Sequence, residues 1–347
     1  MGGRYAIKHS KIFGITADAV LRPLRKLEAA PRVHALQGLG RFYAFQVRSA
    51  CGLFAAYEVR YWPRVARVVG RSFVRIVRWT AHVHWGRPAT AASNAKCTVV
   101  LVSYKRPANM DMQVRSALKC AFVESVIVCN NNPGVTIGDW VKVHDPRLRL
   151  LDRPRRTGPG IRIALAAESE AEFIISFDDD AFHTQKQLAT LFGALVAEPE
   201  IVHGTEGEAK VPDMNTSSSE SDYPFECGRR GMRCEVDALT QGYAFTRKHA
   251  RRCLELFELL GLPKPEDIFN GEDLALSRSG EGNPRLEDIG EFAECLSSFS
   301  EDTALNRTPG FFPTRIAIHQ KLASLGYGHA VADAGGHAPP NATGMTQ

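Results

Sequence analysis

Continuous apolar runs alternate with amphipathic stretches through the middle of the chain. Cys97–Ser103 is apolar enough and short enough to be a buried strand. Pro107 sits where a helix favours proline in its first turn, and the pattern predicts a helix from there to about Cys120. Val126–Cys129 reads as a second strand and Arg149–Leu151 as a short third one. The loop Thr157-Gly158-Pro159-Gly160 leads into a helix over Ile161–Ala171. Phe173–Phe177 is the fourth strand, and Gln185–Ala197 the next helix. This rhythm predicts an α/β fold with a mostly parallel, doubly wound sheet and helices on both faces. Ligands of such sheets bind outside the carboxyl ends of the strands. Tyr104-Lys105-Arg106, Asn130-Asn131 and Asp178-Asp179-Asp180 all follow strands and are expected to meet there.

The pattern is weaker further on. Residues 206–235 are polar and rich in Ser, and are expected to form a mobile loop. Val236–Phe245 reads as a strand pair or a turn containing Gly242. A helix follows over Arg247–Leu260. Glu272 and Asp273 stand at the head of a short helix, and the last helix runs over Pro313–Leu325. The tail, residues 329–347, is rich in Gly, Ala and Pro and is expected to be disordered.

The first 88 residues differ in kind. Arg60, Arg64, Arg67, Arg71, Arg75 and Arg78 recur every three or four positions, which stacks them on one helix face. Phe42, Phe45, Phe54, Tyr57, Tyr61 and Trp62 add aromatics. Two readings fit. The segment is a helical hairpin packed on the main domain with a solvated basic face, or it lies on an anionic membrane surface. No recognisable nucleic-acid module is present, so no nucleic-acid partner is expected. Residues 89–96 are small and polar and read as a linker.

Charge sharpens this division. The net charge of +5 conceals 17 basic and 3 acidic residues in 1–96, against 26 and 35 in the rest. Apolar runs in the first 96 residues are too short to span a bilayer, and nothing resembles a secretory signal. The eight cysteines lack zinc-knuckle spacing. Cys227 and Cys234, six apart in a polar stretch, allow a disulfide. A reducing cytoplasm is the expectation, with the protein peripheral at the inner membrane face.

The sharpest chemical signal is Asp178-Asp179-Asp180. Three adjacent carboxylates repel and raise one another's pKa. An acidic turn is one explanation. The other is a divalent cation, Mn2+ or Mg2+, which removes that penalty and recruits phosphates. Carboxylates beside Arg106 suit a sugar nucleotide, with the cation stabilising the diphosphate that leaves.

From Cys97 to Leu325 the chain resembles the glycosyltransferase domain of the exostosin family. The matching blocks are Thr98–Arg106, Val126–Asn131, Asp178–Asp180, Val236–Phe245, Asn270–Asp273 and Leu305–Leu322 with Arg315, in the family's order. The resemblance implies a GT-A fold over residues 97–328. It implies a UDP-sugar donor, expected to carry an N-acetylhexosamine, and a glycan or lipid-linked acceptor. Tyr104 and Arg106 would contact the donor nucleotide, with Asn130 or Asn131 near the base. Asp178 and Asp179 would lie by the ribose and metal, and Asp180 would be the main metal ligand. Arg162 would reach a phosphate. Asp273 would sit beside the anomeric carbon, with Glu272 adjoining, and Arg315 would stabilise the departing diphosphate. Asp237 and Gly242, in the block before, would face the acceptor.

The family retains anomeric configuration by front-side attack. The alternatives are an inverting transferase with Asp273 or Glu272 as general base, and a non-catalytic binding protein of the same fold. Three departures stand out. Gly271 replaces the family's Cys and Ile318 its bridging partner. Glu272 replaces Asp. The basic segment 1–96 replaces a single membrane span.

Overall fold

The computed structural model of the chain describes residues 34–91, 93–210, 223–299 and 309–327. The expectations for residues 1–33, for the Ser-rich centre of 206–235, for the start of the Leu305–Leu322 block and for the tail 329–347 lie outside the described residues.

The chain begins with two long helices, α1 (His34–Ala56) and α2 (Trp62–Trp85). In α2, Val65, Ser72, Ile76, Trp79 and Val83 are buried, at the spacing that lines one helix face. That face joins Phe42 of α1 in an apolar cluster with Met112, Phe182, Ala293, Cys295 and Leu296 of the main body. The Trp79 ring stacks on Phe182, with centroids 4.6 Å apart, and its indole N–H donates to the His183 carbonyl at 2.9 Å. The hairpin is thus part of the core. The linker expected at 89–96 is itself attached, because Ala121 N–H donates to the Ala89 carbonyl at 2.8 Å.

Strand β1 (Cys97–Ser103) is buried at every position. It pairs in parallel with β2 (Val123–Asn130) on one side and β4 (Phe173–Asp178) on the other, and β3 (Leu148–Asp152) continues the parallel sheet beyond β2. Side chains of β1 alternate between two cores. Val99 and Leu101 pack under α3 (Met110–Leu118) and α5 (Gln185–Ala197). Val100 and Val102 pack under α4 (Ile161–Ala167) and α6 (Arg247–Leu259). A strand covered on both faces has no polar alternation, as its sequence indicated.

Beyond β4 the sheet is mixed. Its path is β3-β2-β1-β4-β9-β6-β10-β8, with β6 (His203–Lys210), β8 (Cys234–Glu235), β9 (Ala238–Thr246) and β10 (Arg285–Leu286), while β7 (Phe225–Arg230) pairs with β6. Strand β9 is antiparallel to both β4 and β6, and β10 is parallel to β6. The stretch Val236–Phe245 is therefore one strand rather than a strand pair. The loop expected from residue 206 is corrected at both of its described ends. Residues 206–210 complete a central strand, and 225–230 form its neighbour. The sequence His-Gly-Thr-Glu-Gly-Glu-Ala-Lys lacks a strand's apolar alternation. It folds as one because Gly204 and Gly207 let β9 approach closely: a Cβ at either would come within 2.6 Å of Leu239 or the Ala238 carbonyl. Strands β5 (Ala181–Phe182) and β11 (Ala293–Glu294) form a separate small pair, and α7 (Glu272–Ser277) and α8 (Phe311–Ser324) close the fold. All eight cysteines are free, so Cys227 and Cys234 do not bridge.

Candidate active site

The parallel register sets Ser103, Asn130, Asp152 and Asp178 in a row at one edge of the sheet. Because β9 runs antiparallel to both β4 and β6, β6 has the direction of β4, and the start of β9 and the end of β6 reach the same edge. A cavity of about 600 Å³ opens there. Tyr104, Arg106, Asn131, Arg162, Asp178, Asp179, Asp180, Glu272, Asp273 and Arg315 all line it. Residues far apart in sequence are thus gathered by strand order.

One side is built around the three aspartates. Asp179 is buried and fully engaged: it accepts from Ser103 Oγ, from the Tyr104 N–H and from Arg106 Nη1, at 3.3, 3.1 and 2.8 Å. Arg106 Nη1 also lies 3.3 Å from Asp180, and Arg106 Nε donates to Ser297 Oγ at 2.7 Å. Asp180 accepts from Gln241 Nε2 and Ser298 Oγ. Asp178 pairs with Arg162, whose buried guanidinium lies over the Tyr243 ring. Burial pushes the Asp180 carboxyl up to about 6. Arg106 opposes this, and Asp178 and Asp179 add to it.

The other side is built around Arg315. Its Nη1 donates to both oxygens of Asp273 at 3.0 and 2.8 Å, its Nη2 to Glu208 at 2.9 Å, and its Nε to the Tyr223 hydroxyl at 3.1 Å. Glu208 also accepts from Tyr223 and faces His319 Nε2 at 3.1 Å. Burial drives Glu208 upward, yet Arg315 and His319 outweigh it and bring the group down to about 2. Asp273 is raised by burial, with Arg315 opposing. Burial and the Asp273 charge push Glu272 up to about 8.

Three expected residues do not line the cavity. Asn130 is buried, and its amide donates to the Asn132 and Val135 carbonyls and to Asp152. It holds the turn after β2, and only its neighbour Asn131 reaches the site. Asp237 accepts from the Lys210 N–H at 2.7 Å and pairs with Arg278, which ties the end of β6 to the start of β9. Gly242 has φ +64°, and a Cβ there would lie 2.2 Å from Thr205 Oγ1. Its glycine serves the backbone. His319 is stacked on Phe225 and turned to Glu208.

The cavity also takes residues that sequence reasoning missed. Glu206 and Glu208 are two apart on β6 and so share a face, a signal hidden by reading the stretch as a loop. Burial, with Glu294 and Asp180 adding and Arg230 opposing, raises Glu206 to about 7. Arg156 lies between the Tyr104 and Phe269 rings, 4.7 and 4.9 Å from their centroids. Lining residues carry buried polar atoms with no hydrogen-bond partner among the described residues, Arg162 Nη1, Thr157 Oγ1 and Asn270 Oδ1 among them. Buried polar atoms are rarely left unpaired. A donor and acceptors left open around one cavity suit a ligand rich in hydroxyl and phosphate oxygens.

No protein-family model and no curated protein sequence matches the chain. Among solved structures it is similar to the crystal structure of GalNAc-T7 with UDP, GalNAc and Mn2+, at 13% sequence identity and a TM-score of 0.44. The likeness covers 66% of this chain and 48% of the GalNAc-T7 chain.

Proposed function

We propose that this chain is a metal-dependent, retaining glycosyltransferase of GT-A fold. It would take a UDP-sugar, with N-acetylhexosamine the expected sugar, and transfer it to a glycan or lipid-linked acceptor. One observation carries the reading. The Arg106-braced Asp180 and the Arg315-held Asp273 face a single cavity whose remaining open polar atoms await a ligand. The ordered motifs that resemble the exostosin family support the same assignment.

The charge of the cavity supports a cation. Eight carboxyl groups and five cationic side chains line it. Asp180, Glu206 and Glu272 are all pushed upward in pKa chiefly by burial, a penalty on the charged form that a bound cation would relieve. Among the described residues no group of three or more His, Cys, Asp and Glu side chains is placed to hold a metal alone. The donor set therefore fits a hard ion such as Mn2+ held by Asp180, with Asp178 beside it, and completed by diphosphate oxygens and water. Such an ion would supply Lewis-acid stabilisation of the leaving diphosphate.

The protein's own groups divide the remaining work. Arg162, with Nη1 open, would bind a phosphate or sugar oxygen. Arg156, which has no carboxylate partner among the described residues, would meet the nucleotide between Tyr104 and Phe269. Asp273 would oppose positive charge at the anomeric carbon. Arg315 is spent on protein oxygens at every nitrogen. Its role in this reading is to orient Asp273, in place of the diphosphate contact expected from the family. The same pair argues against an inverting mechanism. Both Asp273 oxygens already accept from Arg315, and Glu272, at about 8, is mostly protonated at neutral pH. Neither is poised to take a proton from an acceptor. In the retaining reading that proton passes to a phosphate oxygen as the acceptor attacks from the leaving-group side.

The test is UDP release from a panel of UDP-sugars by the full chain, with and without Mn2+. Metal-dependent release from one donor, lost in Asp180→Asn, is the expected result. Equal UDP binding by both proteins, with no release from any donor, would leave a non-catalytic binding protein and end the enzyme reading.

A further inference from the structure

Helix α2 has two apolar sides, and the fold uses only one. Its inner side, with Ile76, Trp79 and Val83, is buried on the main body. Its outer side carries Val68, Val74, Val77 and Trp85 exposed to solvent, Trp85 at 83%. The preceding turn adds exposed Tyr57, Val59 and Tyr61, with Val59 at 68%. Packing needs account for none of these. At about 100° per residue, Arg64, Arg67, Arg71, Arg75 and Arg78 fall within an arc of about 80°, with Trp85 inside that arc, Val68 on one margin and Val74 and Val77 on the other. Arg75 pairs with Glu291. Arg64, Arg67, Arg71 and Arg78 are exposed and have no ion-pair partner among the described residues.

We propose that the outer face of α2 and the turn before it dock on an anionic lipid surface. The arginines would meet lipid phosphates while Val74, Val77 and Trp85 enter the headgroup boundary. The observations favour this occupant over the chain's own N-terminus. Residues 1–33 hold seven basic and two acidic side chains, so they repel an arginine face. They favour it over crossing, because no described helix is long and apolar enough to span a bilayer. A soluble polyanion would engage the arginines and leave the apolar strip and Trp85 unused. The same helix packs on the domain by its inner face and keeps its outer face exposed. This inference stands apart from the catalytic reading, since it uses no residue of the cavity.

The hairpin belongs to the core, so the test uses the full chain. Flotation is compared on vesicles of phosphatidylcholine alone and of phosphatidylcholine mixed with phosphatidylglycerol. Binding to the mixed vesicles that weakens with added salt is expected. Reversing Arg64, Arg67, Arg71 and Arg78 to Glu should weaken it at least about tenfold with an unchanged melting temperature. If that variant does not fold, Arg→Gln at the same four positions reads the same loss. Trp85→Ser with Val77→Ser should remove the binding that survives high salt. Failure to float with anionic vesicles, equal binding to both vesicle types, or undiminished binding by the arginine variants would overturn the proposal. So would competition by soluble polyphosphate that is complete in the wild type and unaffected by the Trp85 and Val77 changes.

Discussion

Arg315 Nη1 donates to both carboxylate oxygens of Asp273, at 3.0 and 2.8 Å, inside a site where each side chain is almost fully buried. The same guanidinium also neutralises Glu208, so one cation holds two acids from different elements. Removing it strands both. Arg315→Met is expected to cost about 3–5 kcal/mol, the usual penalty for unpaired buried charge, read by urea unfolding. Asp273→Asn keeps a hydrogen-bonding partner for Arg315. It should leave UDP binding intact by calorimetry while turnover falls about a hundredfold or more. Turnover within a few-fold of wild type would remove Asp273 from the chemistry.

Glu272 predicts a pH dependence. Its carboxyl is raised to about 8 in the folded chain from an ordinary 4.5. Between these values the folded state holds a proton that the unfolded state has lost. Stability from this group is therefore full below about 4.5 and declines as pH rises toward 8, by at most about 1.4 kcal/mol per pH unit. Glu206, raised to about 7, acts in the same direction. Denaturation curves of the metal-free protein across this range should slope downward with pH. Glu272→Gln should flatten the slope, and an unchanged slope would show that the group titrates normally.

Gly271 and Ile318 provide a packing test. Gly271 has φ +92°, and a Cβ built on it would lie 2.2 Å from Ile318 Cδ1. The two positions that the family resemblance assigns to a bridge thus face each other here without one. Gly271→Ala should destabilise by about 1–3 kcal/mol through overpacking and backbone strain. Adding Ile318→Val should recover the overpacking part alone, as a double-mutant cycle would report.

Gln46 links α1 to the aspartate side of the cavity. Its Nε2 donates to Asn109 Oδ1 at 3.0 Å, and its Oε1 accepts from the Leu296 N–H at 3.1 Å. Asn109 in turn donates to the Asp179 carbonyl, while Ser297 and Ser298, just past Leu296, hold Arg106 and Asp180. Gln46→Leu leaves those buried groups unpaired, at about 1–3 kcal/mol. If Gln46 positions the site, KM for the donor should rise about tenfold with kcat little changed, and metal affinity should fall with it. A loss of stability with both constants unchanged would make the residue purely structural.

The parallel half of the sheet was readable because its signals are local. Cys97–Ser103 and Phe173–Phe177 announce themselves by composition, and a carboxylate run directly after a buried strand needs an explanation wherever the chain goes. Strand order then follows from few choices, so Arg106 and Asp178–Asp180 could be placed at one edge. Asn130 and Asn131 could not be told apart for a related reason. Adjacent asparagines after a strand look alike in sequence, and only the turn decides which amide folds back on the backbone.

The sequence by itself determined the α/β alternation, the acidic strand end, the short helix headed by Glu272 and Asp273, and a basic amphipathic N-terminal segment. These depend on propensity and periodicity within a dozen residues. Tertiary structure alone decided that Glu206 and Glu208 lie on a central strand, that Arg315 is held by Asp273 and Glu208, and that α2 keeps one face for the core and one for solvent. Each of those rests on partners far away in the chain. A buried charge is tolerated only where its counter-charge arrives from another element, and no local pattern records which element that will be.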